Sequence, residues 1–254
     1  MWQGVSVFTR GRRHTKEKHP CQDYGGFVKR FRGIKKEPIF LACVADGASF
    51  AKYSHLGAQI AVRTALKNFS SFLKSEEKFT QESFNDQLTS VLYAIQEKQR
   101  QIAKKYKAQP DDFSTTFLFI CIMPSICFAA QVGDGFILVK QEDEKKYNLV
   151  FAPLKGEHIN ETRFLPLKNF KSVKMFFKKG VVDFCLLATD GIENVAFKMS
   201  TWEPSDGFFS PLEKHVRENA SQKSLERDLL KFLRGERIQN KNQDDKTLLM
   251  GWKR

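Results

Sequence analysis

An apolar run ends in an Asp-Gly pair at three places in this sequence: residues 39–45 lead into Asp46-Gly47, 127–132 into Gly133-Asp134-Gly135, and 184–189 into Asp190-Gly191. Towards the other end of the chain, Asp244-Asp245 stands just ahead of another such run, 246–250. One Asp-Gly after a strand is ordinarily a turn, because both residues tolerate the backbone a turn needs. Recurrence changes the reading. Four strand ends from distant parts of the chain each deliver a carboxylate, and a glycine beside three of them leaves the backbone open to a ligand. Hard oxygen donors in that number are what a metal site for a divalent cation is built from. A side-chain nucleophile has little support. The five cysteines form no Cys-x-x-Cys pair and no Cys-x5-Arg loop, and His19, His55, His158 and His215 show no metal-ligand spacing.

These carboxylates need strands to carry them and a layer to cover the strands. Residues 2–9 read as a first strand, followed by a polar loop with Arg12, Arg13, His14, Lys16 and Lys18 that Pro20-Cys21-Gln22-Asp23 closes. Gly25-Gly26 opens a hairpin with arms at 26–32 and 38–45. Leu56, Ile60, Val62, Ala65, Leu66, Phe69, Phe72 and Leu73 then keep to one helical stripe, and Phe84, Leu88, Val91, Leu92, Ile95 and Ile102 to a second. The period shortens again at 114–123, 126–133, 135–141 and 147–152, which predicts strands. Residues 153–172 read as an ordered surface loop, and 173–178 and 182–189 as two more strands. Short helices are expected near 191–198 and 211–219, a longer one at 222–234, and a last strand at 246–252. With helices gathered in two blocks, two packed sheets with helices outside is the economical arrangement.

Composition allows this. The 254 residues, 41% hydrophobic and 28% charged, suit one globular domain, 1–254. No apolar run approaches the ~20 residues that cross a bilayer, so no membrane partner is expected. The cysteines lie largely in strand-like runs and the first residues have no basic flank, so the chain reads as cytoplasmic. A formal charge of +13 suggests an acidic partner. The densest cluster, Lys29, Arg30, Arg32, Lys35 and Lys36, carries no nucleic-acid recognition signature, and a phosphorylated protein would serve as well.

With these residues laid out, the chain resembles the metal-dependent protein phosphatase 2C family along its whole length. The motifs in order are Lys18…Gln22-Asp23, Asp46-Gly47, Ser114-Thr115-Thr116, Gly133-Asp134, Thr189-Asp190-Gly191 and Asp244-Asp245-Lys246-Thr247. His14…Pro20-Cys21-Gln22-Asp23 and the 156–162 stretch are similar to a bacterial subgroup usually encoded beside a serine/threonine kinase. The resemblance implies an α+β fold, a four-layer α-β-β-α sandwich of two antiparallel sheets with the metals in a cleft between them. It implies that Asp46 bridges two ions, that Gly47 offers a carbonyl, and that Asp190 and Asp244 complete the set. Gln22 and Asp23 would act through water, and Asp134 would serve a weaker third site. Few protein ligands, all oxygen, imply Mn2+ or Mg2+. Lys18 would grip phosphate, with His14 as its competitor, and Asn160, Glu161 and Thr162 would line the substrate.

Three departures from the family pattern stand out. The phosphate-gripping arginine is Lys18, a point charge in place of a bidentate fork. Asn194 takes the place of an aspartate four residues after Asp190, and Asp245 that of an asparagine. The expected activity is hydrolysis of phosphoserine and phosphothreonine in proteins, with a cognate kinase as partner. Two rivals are a catalytically silent phosphoprotein-binding module of the same fold and a basic nucleic-acid binder, the latter supported by charge alone.

Overall fold

The computed structural model describes residues 1–34, 36–75, 79–151, 162–219 and 221–254. In chain order the elements are β1 (Trp2–Thr9), α1 (Arg12–Lys16), β2 (Tyr24–Arg32), β3 (Glu37–Ala45), α2 (Ser54–Ser75) and α3 (Gln81–Tyr106). They continue with β4 (Phe117–Ile122), β5 (Ile126–Val132), β6 (Phe136–Gln141), β7 (Asn148–Leu149), β8 (Lys174–Lys179) and β9 (Val182–Ala188). The last part holds α4 (Glu193–Ala196), β10 (Phe197–Lys198), β11 (Glu203–Pro204), α5 (Asp206–Glu218), α6 (Gln222–Arg234), α7 (Glu236–Gln239) and β12 (Lys246–Lys253).

Two five-stranded antiparallel sheets carry the fold, one ordered β1-β12-β9-β6-β7 and the other β2-β3-β4-β5-β8. The period-2 geometry of a strand explains how they stack. Along β3, Ile39, Leu41, Cys43 and Ala45 face a core shared with α2 and α3, while Phe40, Ala42 and Val44 face the other sheet. Along β12, Leu248, Met250 and Trp252 face α5 and α6, while Leu249 faces inward. Both strands are buried on two faces, which is why each reads as one unbroken apolar run. The layers are therefore helix, sheet, sheet, helix.

The helical stripes end up where periodicity puts them. Phe69 of α2 stacks on Phe119 of β4 with ring centroids 4.1 Å apart, and Phe84 of α3 stacks on Phe128 of β5 at 4.9 Å. Thr80 caps α3, its hydroxyl accepting from the Ser83 N–H at 3.1 Å while Ser83 answers in reverse. Several details depart from the expected elements: the strand expected at 147–152 is only Asn148–Leu149, and the helix expected near 191–198 ends at Ala196, where the β10–β11 pair begins. The loop 10–20 contains the short helix α1, and α5 begins at Asp206, ahead of Pro211. Much of the loop expected at 153–172, with Asn160 and Glu161, lies outside the described residues. No helix is long and apolar enough to cross a membrane among the described residues, and all five cysteines are free thiols.

Candidate metal centre

The carboxylates converge at one end of the sandwich, and each is fixed through its neighbours. Asp46 follows β3 directly. Its backbone N–H donates to Thr116 Oγ1 at 2.9 Å, and its carbonyl accepts from the Thr116 N–H at 2.8 Å and from Thr115 Oγ1 at 2.9 Å. Thr115 and Thr116 thus hold the main chain that presents Asp46. Gln22 is buried, and its carbonyl accepts from the Gly47 N–H at 3.1 Å, which ties the first loop to the same place.

Asp23 is buried, and its Oδ2 accepts from Thr189 Oγ1 at 2.8 Å and Thr247 Oγ1 at 2.9 Å. Its Oδ1, also buried, meets no hydrogen-bond donor among the described residues. Asp134 occupies the turn between β5 and β6, where Gly133 (φ +91°) and Gly135 (φ +78°) take backbone conformations that disfavour a side chain. Its Oδ2 accepts from Thr162 Oγ1 at 2.8 Å. Asp190 begins the turn after β9, and a Cβ on the next residue, Gly191, would sit 2.0 Å from the Asp245 carbonyl.

Electrostatically these groups strain against one another. Burial, then the charges of Asp23 and Asp190, push the Asp46 carboxyl well above the usual range. Burial, followed by Asp134 and Asp244, raises Asp190, and burial with Asp245 raises Asp23. Among the described residues no lysine or arginine hydrogen-bonds Asp23, Asp46 or Asp190. The nearby Lys246 ammonium offsets Asp190 in part, but it donates to the Asn242 and Asp244 carbonyls, so a half-buried cluster of like charges with an orphaned carboxylate oxygen is left under-compensated. The donor set is oxygen alone, and it fits Mg2+ or Mn2+.

Sequence reasoning missed Glu193. Burial, then Asp190 and Asp134, push its carboxyl up to about 7. It stands beside the two aspartates that Asn194 was expected to leave short of a partner. Its position three residues after Asp190, at the start of α4, was the available signal.

The loop 10–23 and the end of the chain meet through Asp245. Its Oδ1 accepts from the Gly11 N–H at 2.7 Å and its Oδ2 from the Gln22 N–H at 2.6 Å. An asparagine offers one acceptor oxygen where these two backbone donors need two, which accounts for the aspartate here. His14 is buried with Nδ1 2.9 Å from Asp245 Oδ2, within ion-pair reach though not aligned as a hydrogen bond. The adjacent Asp244 is partly exposed and accepts from Arg13 Nη2 at 3.1 and 2.9 Å. Lys18 is exposed just beyond α1 with left-handed backbone (φ 59°). The structure therefore brings Asp23, Asp46, Asp134 and Asp190 together, sets Asp244 against Arg13, and turns His14 inward.

A protein phosphatase 2C family model matches residues 10–234, and the chain belongs to that family. The Escherichia coli K12 protein named serine/threonine-protein phosphatase 3 is 28% identical over 98% of this chain and 97% of its own length. Among solved structures, the serine/threonine phosphatase Stp1 from Staphylococcus aureus is 14% identical, with a TM-score of 0.62 over 100% of this chain and 96% of its own. The catalytic domain of the serine/threonine phosphatase PstP, solved with two manganese ions, is 13% identical with a TM-score of 0.60, over 99% of this chain and 97% of its own. At that identity the two structures speak for the fold.

Proposed function

We propose that this chain is a metal-dependent phosphoprotein phosphatase that hydrolyses phosphoserine and phosphothreonine esters with water. The observation that carries the reading is the carboxylate cluster of buried Asp23 and half-buried Asp46 and Asp190, all raised above the usual range and only partly offset by Lys246. Family membership and the phosphatase names of its relatives point the same way. Asp46, Asp190 and Asp244, with the Gly47 carbonyl, would hold a pair of Mn2+ or Mg2+ ions. Asp134 and Glu193 would serve a weaker third position, and Gln22 and Asp23 would contribute through water. Bound there, such ions acidify and orient an attacking water and neutralise charge building on the phosphoryl group.

The chain's own part is positional. Thr115 and Thr116 fix Asp46, Thr189 and Thr247 aim Asp23, and Thr162 orients Asp134 from the substrate side. A bacterial cytoplasm and a cognate kinase fit this reading, the first through the free thiols. Hydrolysis of p-nitrophenyl phosphate tests it: turnover is expected with manganese, absent in EDTA, and restored when the metal returns. No metal-dependent hydrolysis of this ester or of a phosphoserine peptide would sink it.

A cation must also hold the substrate phosphate. The burial of His14 and the contact between Arg13 and the site shift the expectation from Lys18 to Arg13, whose planar fork can pair two phosphoryl oxygens. Arg13→Ala should lower kcat/KM on a phosphopeptide about 10-fold, the scale of one charge-assisted hydrogen bond. Lys18→Ala should stay within about twofold. The reverse ranking in a side-by-side assay would return the role to Lys18.

A further inference from the structure

An aromatic pair, Phe50 exposed and Phe164 half-buried, stands close in the chain to the metal centre and takes no part in the chemistry. Phe50 is 70% exposed, yet it is not on a loose segment. The turn that carries it is closed by the Ala51 N–H donating to the Ala48 carbonyl at 3.0 Å, and Ala48 and Ala51 are both buried. Two anchored alanines leave Ser49 and Phe50 at the tip, so the ring is held out in water by design of the backbone. The ring of Phe164 meets it edge-on, with centroids 5.5 Å apart and planes at 84°.

Both rings are tied to the carboxylates through main chain. Phe50 lies four residues after Asp46, within about 14 Å along the chain. Phe164 lies two residues after Thr162, which donates to Asp134. Leu165 exchanges backbone hydrogen bonds with Thr115 at 2.8 and 3.1 Å, and Thr115 in turn bridges to Gly47. The Arg163 carbonyl lies where a Cβ on Gly133 would meet it at 2.9 Å. A small ladder of Gly47, Thr115 and Leu165 thus fixes the aromatic pair relative to Asp46 and Asp134.

We propose that Phe50 and Phe164 form a docking surface for one apolar side chain of the phosphorylated segment, two to four residues from the phosphoserine or phosphothreonine. The inference rests on the phosphatase reading and deepens it by naming a sequence preference. The spacing follows from the ~3.3 Å rise per residue of an extended peptide. An aromatic edge and face offer apolar contact without a donor or acceptor to satisfy, so leucine, isoleucine or phenylalanine is the chemistry they select. Covering about half of such a side chain is worth on the order of a 10-fold preference.

The test uses the full chain and a set of alanine-rich phosphoserine peptides in which a single leucine is moved from four residues before the phosphoserine to four after it. In wild type, one or two leucine positions should raise kcat/KM about 10-fold over the peptide without leucine. In Phe50→Ala and Phe164→Ala that ratio should fall to near one. Because the ratio is taken within each variant, a general loss of catalysis cancels. Tyr93→Ala, which removes an exposed ring on α3, should keep the wild-type ratio. Fluorescence titration of the same peptides, labelled and measured in EDTA and in manganese, reads docking without turnover. A wild type that hydrolyses nothing would defeat the phosphatase reading, and the titration would still decide the docking surface. Equal affinity and turnover for every leucine position, or a preference that survives in Phe50→Ala, would overturn the proposal.

Discussion

Asp46→Asn is expected to lose metal-dependent turnover by at least ~100-fold, the scale of removing one strong electrostatic contact in a transition state, and yet to melt above wild type in EDTA. The two effects share one cause. Burial of the Asp46 carboxyl, followed by the charges of Asp23 and Asp190, raises it well above the usual range, so keeping it in the metal-free cluster carries a cost that a neutral amide relieves. In wild type, cations restore the balance. At a hundredfold excess over Kd they should add ~2.7 kcal/mol, or roughly 5–10 °C in a chain of this size. The variant should gain much less. Calorimetry in EDTA and in manganese, paired with rates, separates this account from a folding defect. A variant that melts lower than wild type in both conditions would show that Asp46 stabilises the fold in its own right, and a variant with normal turnover would remove it from the centre.

The second large effect lies on the other sheet, the one that α5 covers. Glu213 of α5 is nearly buried, its side chain 7% exposed. It accepts from Lys140 Nζ at 2.8 Å, from the Tyr147 hydroxyl at 2.6 Å and from Arg217 Nε at 2.8 Å, while Arg217 also holds Asp183 at 2.9 Å. Glu213→Leu would strand the Lys140 ammonium and the Tyr147 hydroxyl against an apolar layer, while Arg217 keeps Asp183. Breaking such a pair from one side costs ~3–5 kcal/mol, a drop in Tm of roughly 6–20 °C. Burial alone would raise the Glu213 carboxyl, but its bonds to Lys140, Tyr147 and Arg217 outweigh that and hold it below the ordinary value. A depressed carboxylate gives stability that is full above the unfolded value of about 4.3 and disappears as pH falls through the folded one. Wild type should therefore lose Tm on acidification more steeply than Glu213→Gln does. Parallel pH curves, or a leucine variant within about 2 °C of wild type, would show that the network contributes nothing.

Much of the architecture was legible because its signals are local. Unbroken apolar runs such as 39–45 mark strands covered on both faces, and the stripes of α2 and α3 mark helices covered on one. Helix α1 was not legible. It is five residues long, carries no apolar stripe, and owes its place to contacts with residues near 244. At the site, the aspartates at strand ends stood out by repetition, and the structure gathers Asp23, Asp46, Asp134 and Asp190. What the sequence hides is which loop cation turns inward. Arg13, His14 and Lys18 look alike as a basic run, and only the fold buries His14, points Arg13 at Asp244 and leaves Lys18 in water. Glu193 was hidden for a similar reason, since its meaning comes from neighbours contributed by β5 and β9.

Pairing of β1 with β12 has a consequence for how the molecule is made. The two strands lie at opposite ends of the sequence, in register from Trp2 with Lys253 to Thr9 with Lys246. Asp23 waits for Thr189 and Thr247, and the backbone of Gly11 and Gln22 waits for Asp245. A chain synthesised from its N-terminus can lay down the β2–β5 sheet and its two helices early, because those contacts are near in sequence. The centre itself cannot close until strand β12 has emerged and slotted between β1 and β9. A chain halted on the ribosome short of residue 244 would thus present a half-built sandwich with its carboxylates unassembled, and catalytic competence would arrive in one step with the final strand.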